Sequence, residues 1–103
     1  MILLTRRDDM TAAEFQSWWL NDHAPLAAQL PGLRRAVFNV LDSDGRDAAG
    51  FDGVSELWFD TRADFDAAYA TELGQAVAAD SMAHVSGRVR LFLDEHVVHA
   101  GPD

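Results

Sequence analysis

Cysteine is missing from this chain, and so is lysine. Without thiols there are no disulfides, no thiolate nucleophile and no cysteine-ligated zinc. Without lysine, the fixed side-chain cations are eight arginines against seventeen acidic residues, a formal net charge of −9. Phosphate backbones need a basic stripe, and only Arg6-Arg7 and Arg34-Arg35 stand side by side, so no nucleic-acid partner is expected. Both pairs read as solvated charges at strand ends. Long apolar runs are also lacking. The opening Met1-Ile2-Leu3-Leu4 passes at once into Thr5-Arg6-Arg7, too short for a signal peptide or a membrane span, so a cytoplasmic setting without membrane contact is expected.

Cofactor and metal signatures are equally scarce. There is no dinucleotide-binding glycine fingerprint, no P-loop and no nucleophile-elbow serine. His96 and His99, three apart on an expected strand, point to opposite faces and cannot chelate one ion together. Asp80 and His84, one helical turn apart, supply two ligands at most and read as solvated. Asp42-x-Asp44-Gly45-x-Asp47 resembles a calcium loop only superficially: its glycine has the wrong offset, and Gly53 stands where a glutamate is needed. The chain is therefore expected to work without a metal and without a cofactor.

What is present is a chain of 103 residues, 49% hydrophobic, the common size of a single domain. Residues 1–6 form an apolar run without helical period and read as a strand. Thr11-Ala12-Ala13-Glu14 is a capping box that starts a helix, and Phe15, Trp18, Trp19, Asp22, Leu26 and Leu30 recur at steps of three and four along it. Pro25 lacks an amide hydrogen, so an unbroken helix would cost about 3 kcal/mol. A break near His23 is expected, with Pro25 opening a second short helix. Leu30-Pro31-Gly32-Leu33 suits a type II turn. Strands follow at residues 33–41 and 54–60, with the acidic stretch 42–53 as a mobile hairpin loop. Thr61 caps a second helix bearing Phe65, Ala68 and Tyr69, Gly74 interrupts it, and Gly87 leads into a long last strand at 88–98. The order β-α-β-β-α-β predicts a ferredoxin-like α+β domain, an antiparallel four-stranded sheet with both helices on one face.

Both faces of the later strands carry apolar groups. Leu57 and Phe59 alternate with Val54, Glu56 and Trp58, and the last strand repeats the pattern. A monomer would expose an unusually large apolar patch, which a second sheet would cover. The last strand would span about 36 Å at 3.3 Å per residue, more than its neighbours can pair with. A homodimer is the expectation.

Trp18 with His23-Ala24-Pro25-Leu26, then Leu30-Pro31-Gly32-Leu33-Arg34-Arg35, Phe51-Asp52-Gly53-Val54-Ser55-Glu56-Leu57-Trp58-Phe59-Asp60 and Glu95-His96-Val97-Val98 together resemble EthD-type domains. The resemblance covers nearly the whole chain and implies a dimeric α/β barrel in which two sheets face each other and each C-terminal strand reaches its partner. The turn after the first strand is shorter than in such domains. Ala36 replaces a typical aromatic, which would enlarge or reshape a cavity. The resemblance also implies association with catabolic oxidation systems such as ethyl tert-butyl ether degradation, among relatives that include cofactor-free monooxygenases, muconolactone isomerases, decarboxylases and polyketide cyclases.

The residues best suited to chemistry are His23 and Glu56. His23 titrates near neutrality beside the expected helix break, where it either moves protons in a pocket or caps a free backbone group. Glu56 lies mid-strand among apolar neighbours, as a proton-transfer group of raised pKa or as the partner of Arg35, Arg88 or Arg90. Trp18, Trp19 and Trp58 serve as core or, lining a cavity with Arg35, as contacts for a flat aromatic ligand. Two functions follow: a cofactor-independent catabolic enzyme of monooxygenase, isomerase or decarboxylase type acting on a hydrophobic aromatic or carbonyl-bearing small molecule, or a non-catalytic accessory that binds such a molecule for an oxygenase pathway.

Overall fold

The computed structural model describes residues 1–102. Its elements run β1 (Ile2–Arg6), α1 (Ala12–Trp18), a π-helical turn (Trp19–His23), α2 (Ala24–Ala27), β2 (Arg35–Val40), α3 (Ser43–Ala49), β3 (Gly53–Trp58), α4 (Arg62–Ala70), α5 (Glu72–His84) and β4 (Val85–Arg90). The strands form one sheet in the order β2-β3-β1-β4, antiparallel at every pairing, so the α+β ferredoxin-like arrangement stands. Ile2 and Leu4 of β1 and Val85 of β4 pack with Phe15, Trp18 and Trp19. A second cluster joins Ala27 and Leu30 to Ala68 and Val77 of the other helical pair. These contacts put the helices on one face and leave the other open.

The local signals hold where they depend on neighbouring residues alone. Thr11 accepts the Glu14 amide at 3.1 Å while the Glu14 carboxylate accepts the Thr11 amide at 2.9 Å. Gly32 adopts φ 80° in the turn closed by Leu33 N–H on the Leu30 carbonyl. Thr61 caps α4 through the Asp64 amide.

Four expectations need correction. Pro25 does sit in the first turn of the short α2, as expected, but the chain does not leave helical geometry at His23. Residues 18, 19, 23 and 24 stay right-handed, and the chain widens into a π turn in which the Ala24 amide donates to the Trp19 carbonyl, five residues back; the wider turn takes up the proline without ending the helix. The acidic stretch is no loop, because Asp42 accepts the Gly45 amide and caps α3, which ends on Gly50 at φ 78°. The second helical region is interrupted at Thr71 rather than Gly74: Thr71 is extended and its hydroxyl accepts the Gly74 amide at 3.0 Å to start α5. The last strand starts at Val85, holds Gly87 within it, and ends at Arg90. Beyond the mutual Met1–Leu91 backbone hydrogen bonds the chain runs on exposed.

Arg6 is more than a solvated end charge. It forms an ion pair with the buried Asp52, which also accepts its backbone amide at 2.9 Å, tying the end of β1 to the entry of β3. Next in sequence, Gly53 faces the fully buried Trp19 ring, and a methyl added there would lie 2.6 Å from it. Trp19 therefore lies flat against the sheet, stacked on Phe38 at 4.5 Å. We expect G53A to lower the unfolding free energy by about 1–3 kcal/mol through overpacking, measured by urea denaturation; an unchanged midpoint would show that the ring has room to move.

Candidate functional site

The π turn decides what the first helix presents to α5. Residues four apart share a face in an ordinary helix, whereas the wider turn also aligns residues five apart, so Trp18 and His23 reach the same place with ring centroids 5.1 Å apart. That place is the Asp80 carboxylate. It accepts the Trp18 indole N–H at 3.2 Å and meets His23 Nδ1 at 2.8 Å. His84, one turn further along α5, stacks on Trp18 at 4.2 Å, donates to the Asp80 carbonyl at 2.7 Å, and lies 3.6 Å from the carboxylate. Asp80 and His84 are thus half-buried members of a cluster, not solvated surface groups. His23 caps no helix among the described residues; its partner is a side chain.

His23 is 6% exposed. A carboxylate opposite Nδ1 fixes the neutral tautomer with the proton on Nδ1 and the lone pair on Nε2. Burial pulls the imidazole below its ordinary pKa, against the hydrogen bond and charge of Asp80, with His84 and Arg88 adding to the fall. The ring borders a cavity of about 20 Å³ shared with Ser55, Tyr69, Ser81 and Arg88, room for about one water. Burial raises the Tyr69 phenol, opposed by Arg90 and Arg88, so its hydroxyl keeps a proton to donate. Trp19 also lines this cavity, and its buried Nε1 has no hydrogen-bond partner among the described residues. Among the described residues no three His, Asp or Glu side chains converge to hold a metal.

Glu56 is not part of this arrangement. It alternates with Ser55 and Leu57, which face the helices, and so lies half-buried on the open face opposite Val37. Its carboxylate accepts the Asn39 amide at 3.1 Å and forms no ion pair among the described residues. Trp58 shares that face. Its indole donates to Glu95 at 2.9 Å, and the Arg35 guanidinium lies 4.9 Å from its ring centre. The candidates therefore divide: His23, Trp18 and Trp19 lie under the helices, whereas Glu56, Trp58 and Arg35 lie across the sheet. Ala36 is exposed and borders neither cavity. A groove of about 640 Å³ opens at the sheet end where β3, β4 and the start of α4 meet the C-terminal segment; Glu56, Phe65, Arg90 and Phe92 line it.

The EthD domain model matches residues 7–87. The chain belongs to the EthD domain family. It is 34% identical over 88 residues to an uncharacterized 11.0 kDa protein in the thcB-thcC intergenic region of Rhodococcus erythropolis, covering 84% of each chain. The crystal structure of an ethyl tert-butyl ether d (ethd) family protein from Bacillus halodurans has the same fold, with a TM-score of 0.65 at 22% identity over 88% of this chain and 95% of that one. In this EthD domain the matched stretch contains His23, Tyr69 and Asp80 and ends before Arg88.

Ser55 and Ser81 were not singled out by the sequence, and Asp80, Tyr69 and Arg88 were read differently, as half of a solvated pair with His84, as helix core and as a candidate partner of Glu56. One signal was present: Val77, Asp80 or Ser81, and His84 recur at helical steps of three and four, placing a carboxylate on the stripe of α5 that a buried histidine can meet. The site also carries a pH signature. With the folded pKa of His23 below the ordinary 6.5, the unfolded chain binds the proton more readily. The stability that the neutral ring contributes is complete above the ordinary value and is lost as pH falls through it toward the lower folded value. We expect the melting temperature to fall between about pH 7 and about pH 5 and H23Q to flatten that decline; an unchanged slope would place the titrating group elsewhere.

Proposed function

We propose that this protein is a cytoplasmic, cofactor-independent catabolic enzyme that moves a proton on a hydrophobic aromatic or carbonyl-bearing small molecule, with His23 as the base. The observation that supports this is the pair of the buried His23 with Asp80, which engages Nδ1 of a ring that borders a small cavity. Nε2 takes a proton from an acidic C–H or O–H of the ligand, and Asp80 stabilises the imidazolium that forms. Tyr69 donates to the oxygen on which negative charge collects. Such a proton removal serves isomerase chemistry and equally the first step of a cofactor-free oxygenation. Glu56, on the far side of the sheet, has no part in this step within one chain.

A second reading, a non-catalytic accessory that binds the same kind of molecule for an oxygenase pathway, is favoured by the separation of the two spaces. The larger groove borders neither His23 nor Asp80. Turnover separates the readings. Once a thermal-shift screen of small aromatics has found a ligand, H23Q is expected to reduce kcat by a factor of about 10² or more while KM changes little. Ligand binding without turnover in the unaltered protein favours the accessory.

We also propose a homodimer. Val89, opposite Leu3, is exposed on the open face of the sheet, and Leu93, Val97 and Val98 are exposed on the C-terminal segment, Val98 at 96%. A second copy placing its sheet across the open face would cover them and give the segment an edge to pair with. Deleting residues 95–103 is expected to convert the dimer to monomer or aggregate, read by light scattering on a sizing column. A truncated chain that elutes as a soluble dimer would show that the segment is no clasp.

A further inference from the structure

Two arginines of β4 stand apart from the other six. Arg6, Arg7, Arg34 and Arg62 form ion pairs with Asp52, Asp9, Asp60 and Asp66. Arg46 donates to the Leu41 carbonyl at 2.9 Å, and Arg35, which also has no carboxylate or carbonyl partner among the described residues, is exposed and lies on the Trp58 ring. Arg88 and Arg90 have no carboxylate or carbonyl partner among the described residues, although the chain carries seventeen acidic residues. Both are half-buried, and the Arg90 Nε is buried with no hydrogen-bond partner among the described residues. Register places Arg90 opposite Ile2 and Arg88 opposite Leu4, so both point to the helix side, about 6.6 Å apart along the strand at 3.3 Å per residue. Burying a guanidinium without a counter-charge is unfavourable. Burial, with Arg90 next to it, already lowers the Arg88 pKa.

Their surroundings suit a ligand with one charge and a flat ring. The Arg90 guanidinium lies 5.2 Å from the ring centres of both Phe65 and Tyr69. Arg90 lines the large groove and Arg88 the His23 cavity, so an anion held by both bridges the two spaces. Phe59, Phe65 and Phe92 supply apolar wall in the groove. A net charge of −9 opposes polyanions while sparing a small monoanion.

We infer that Arg88 and Arg90 form an anion-recognition subsite and that the ligand is an aromatic carboxylate, its ring in the groove and its carboxylate between the two guanidiniums. This deepens the proposed function and rests on it for the placement of the ligand beside His23. The fork of a guanidinium matches the two oxygens of a carboxylate, and a charge-assisted bond of this kind exceeds a neutral one.

Benzoate is the probe, benzamide the uncharged control of the same shape, and acetate the charge without a ring. Isothermal titration of the full chain is expected to show benzoate binding about tenfold or more tighter than either control. R88Q and R90Q are each expected to weaken benzoate about tenfold and leave benzamide unchanged. Without ligand both variants are expected to melt no lower than the unaltered protein, since each removes an unpaired, half-buried charge. Equal binding of benzoate and benzamide, or benzoate affinity intact in both variants, overturns the inference. So does a lower melting temperature of both ligand-free variants, which would assign the arginines to a structural ion pair within the protein or between two copies. The heat of binding is read without turnover. A protein that prefers benzoate through these arginines while His23 proves inert keeps the subsite and loses only the proton-transfer reading.

Discussion

Pro25 has no amide hydrogen to give, and the arrangement around the candidate site follows from where the helix absorbs that loss. The chain widens by one residue ahead of the proline instead of stopping. Trp18 and Trp19, adjacent in sequence, both turn inward, and His23 follows them. Trp19 lies on Gly53, where only a residue without a side chain admits an indole against the strand. Trp18 and His23 converge on one carboxylate. A regular helix of 3.6 residues per turn cannot align residues 18 and 23 so closely.

That carboxylate explains why the interior tolerates so many polar rings. Asp80 takes two ring N–H groups and sits beside a third ring, His84. A buried acceptor with several donors is satisfied, whereas a buried histidine without Asp80 would leave Nδ1 unpaired. The same pairing sets the tautomer and turns the lone pair of Nε2 away from Asp80. Structural support and chemical competence come from one contact, so substitutions at Asp80 act on both.

The sheet divides the molecule chemically. On the helix side lie the aromatic core, the His23–Asp80 pair and the two arginines of β4. On the open side lie Glu56 with Asn39, Trp58 with Glu95, and the exposed Val89. Alternation along β3 puts Ser55 and Glu56 on opposite faces, so two residues adjacent in sequence serve different environments.

Much of the scaffold was legible in local chemistry. The capping box at Thr11, the proline-glycine turn at Pro31-Gly32, the cap at Thr61 and the strand–helix order depend on residues a few positions apart, and each stands in the structure. The motifs around His23-Ala24-Pro25-Leu26 and Leu30-Pro31-Gly32 carried the family. Misreadings arose where distant residues decide. Pro25 favours a break by its own chemistry, yet packing of Trp18 and His23 against α5 keeps the helix continuous through a wider turn. The pairing of the last strand runs up to the Met1–Leu91 hydrogen bonds, between residues 90 apart in sequence, which no local signal shows. Asp42 caps a helix in a stretch that looked like a loop because its acidic composition hides the cap. What the sequence by itself determined was the four strands and two main helical regions, their order and the residue types available for proton transfer, since these follow from propensity, capping and side-chain chemistry. Only the tertiary structure decided that His23 meets Asp80, 57 positions on, while Glu56 faces away, because partners brought together by packing across layers leave no spacing in the chain to read.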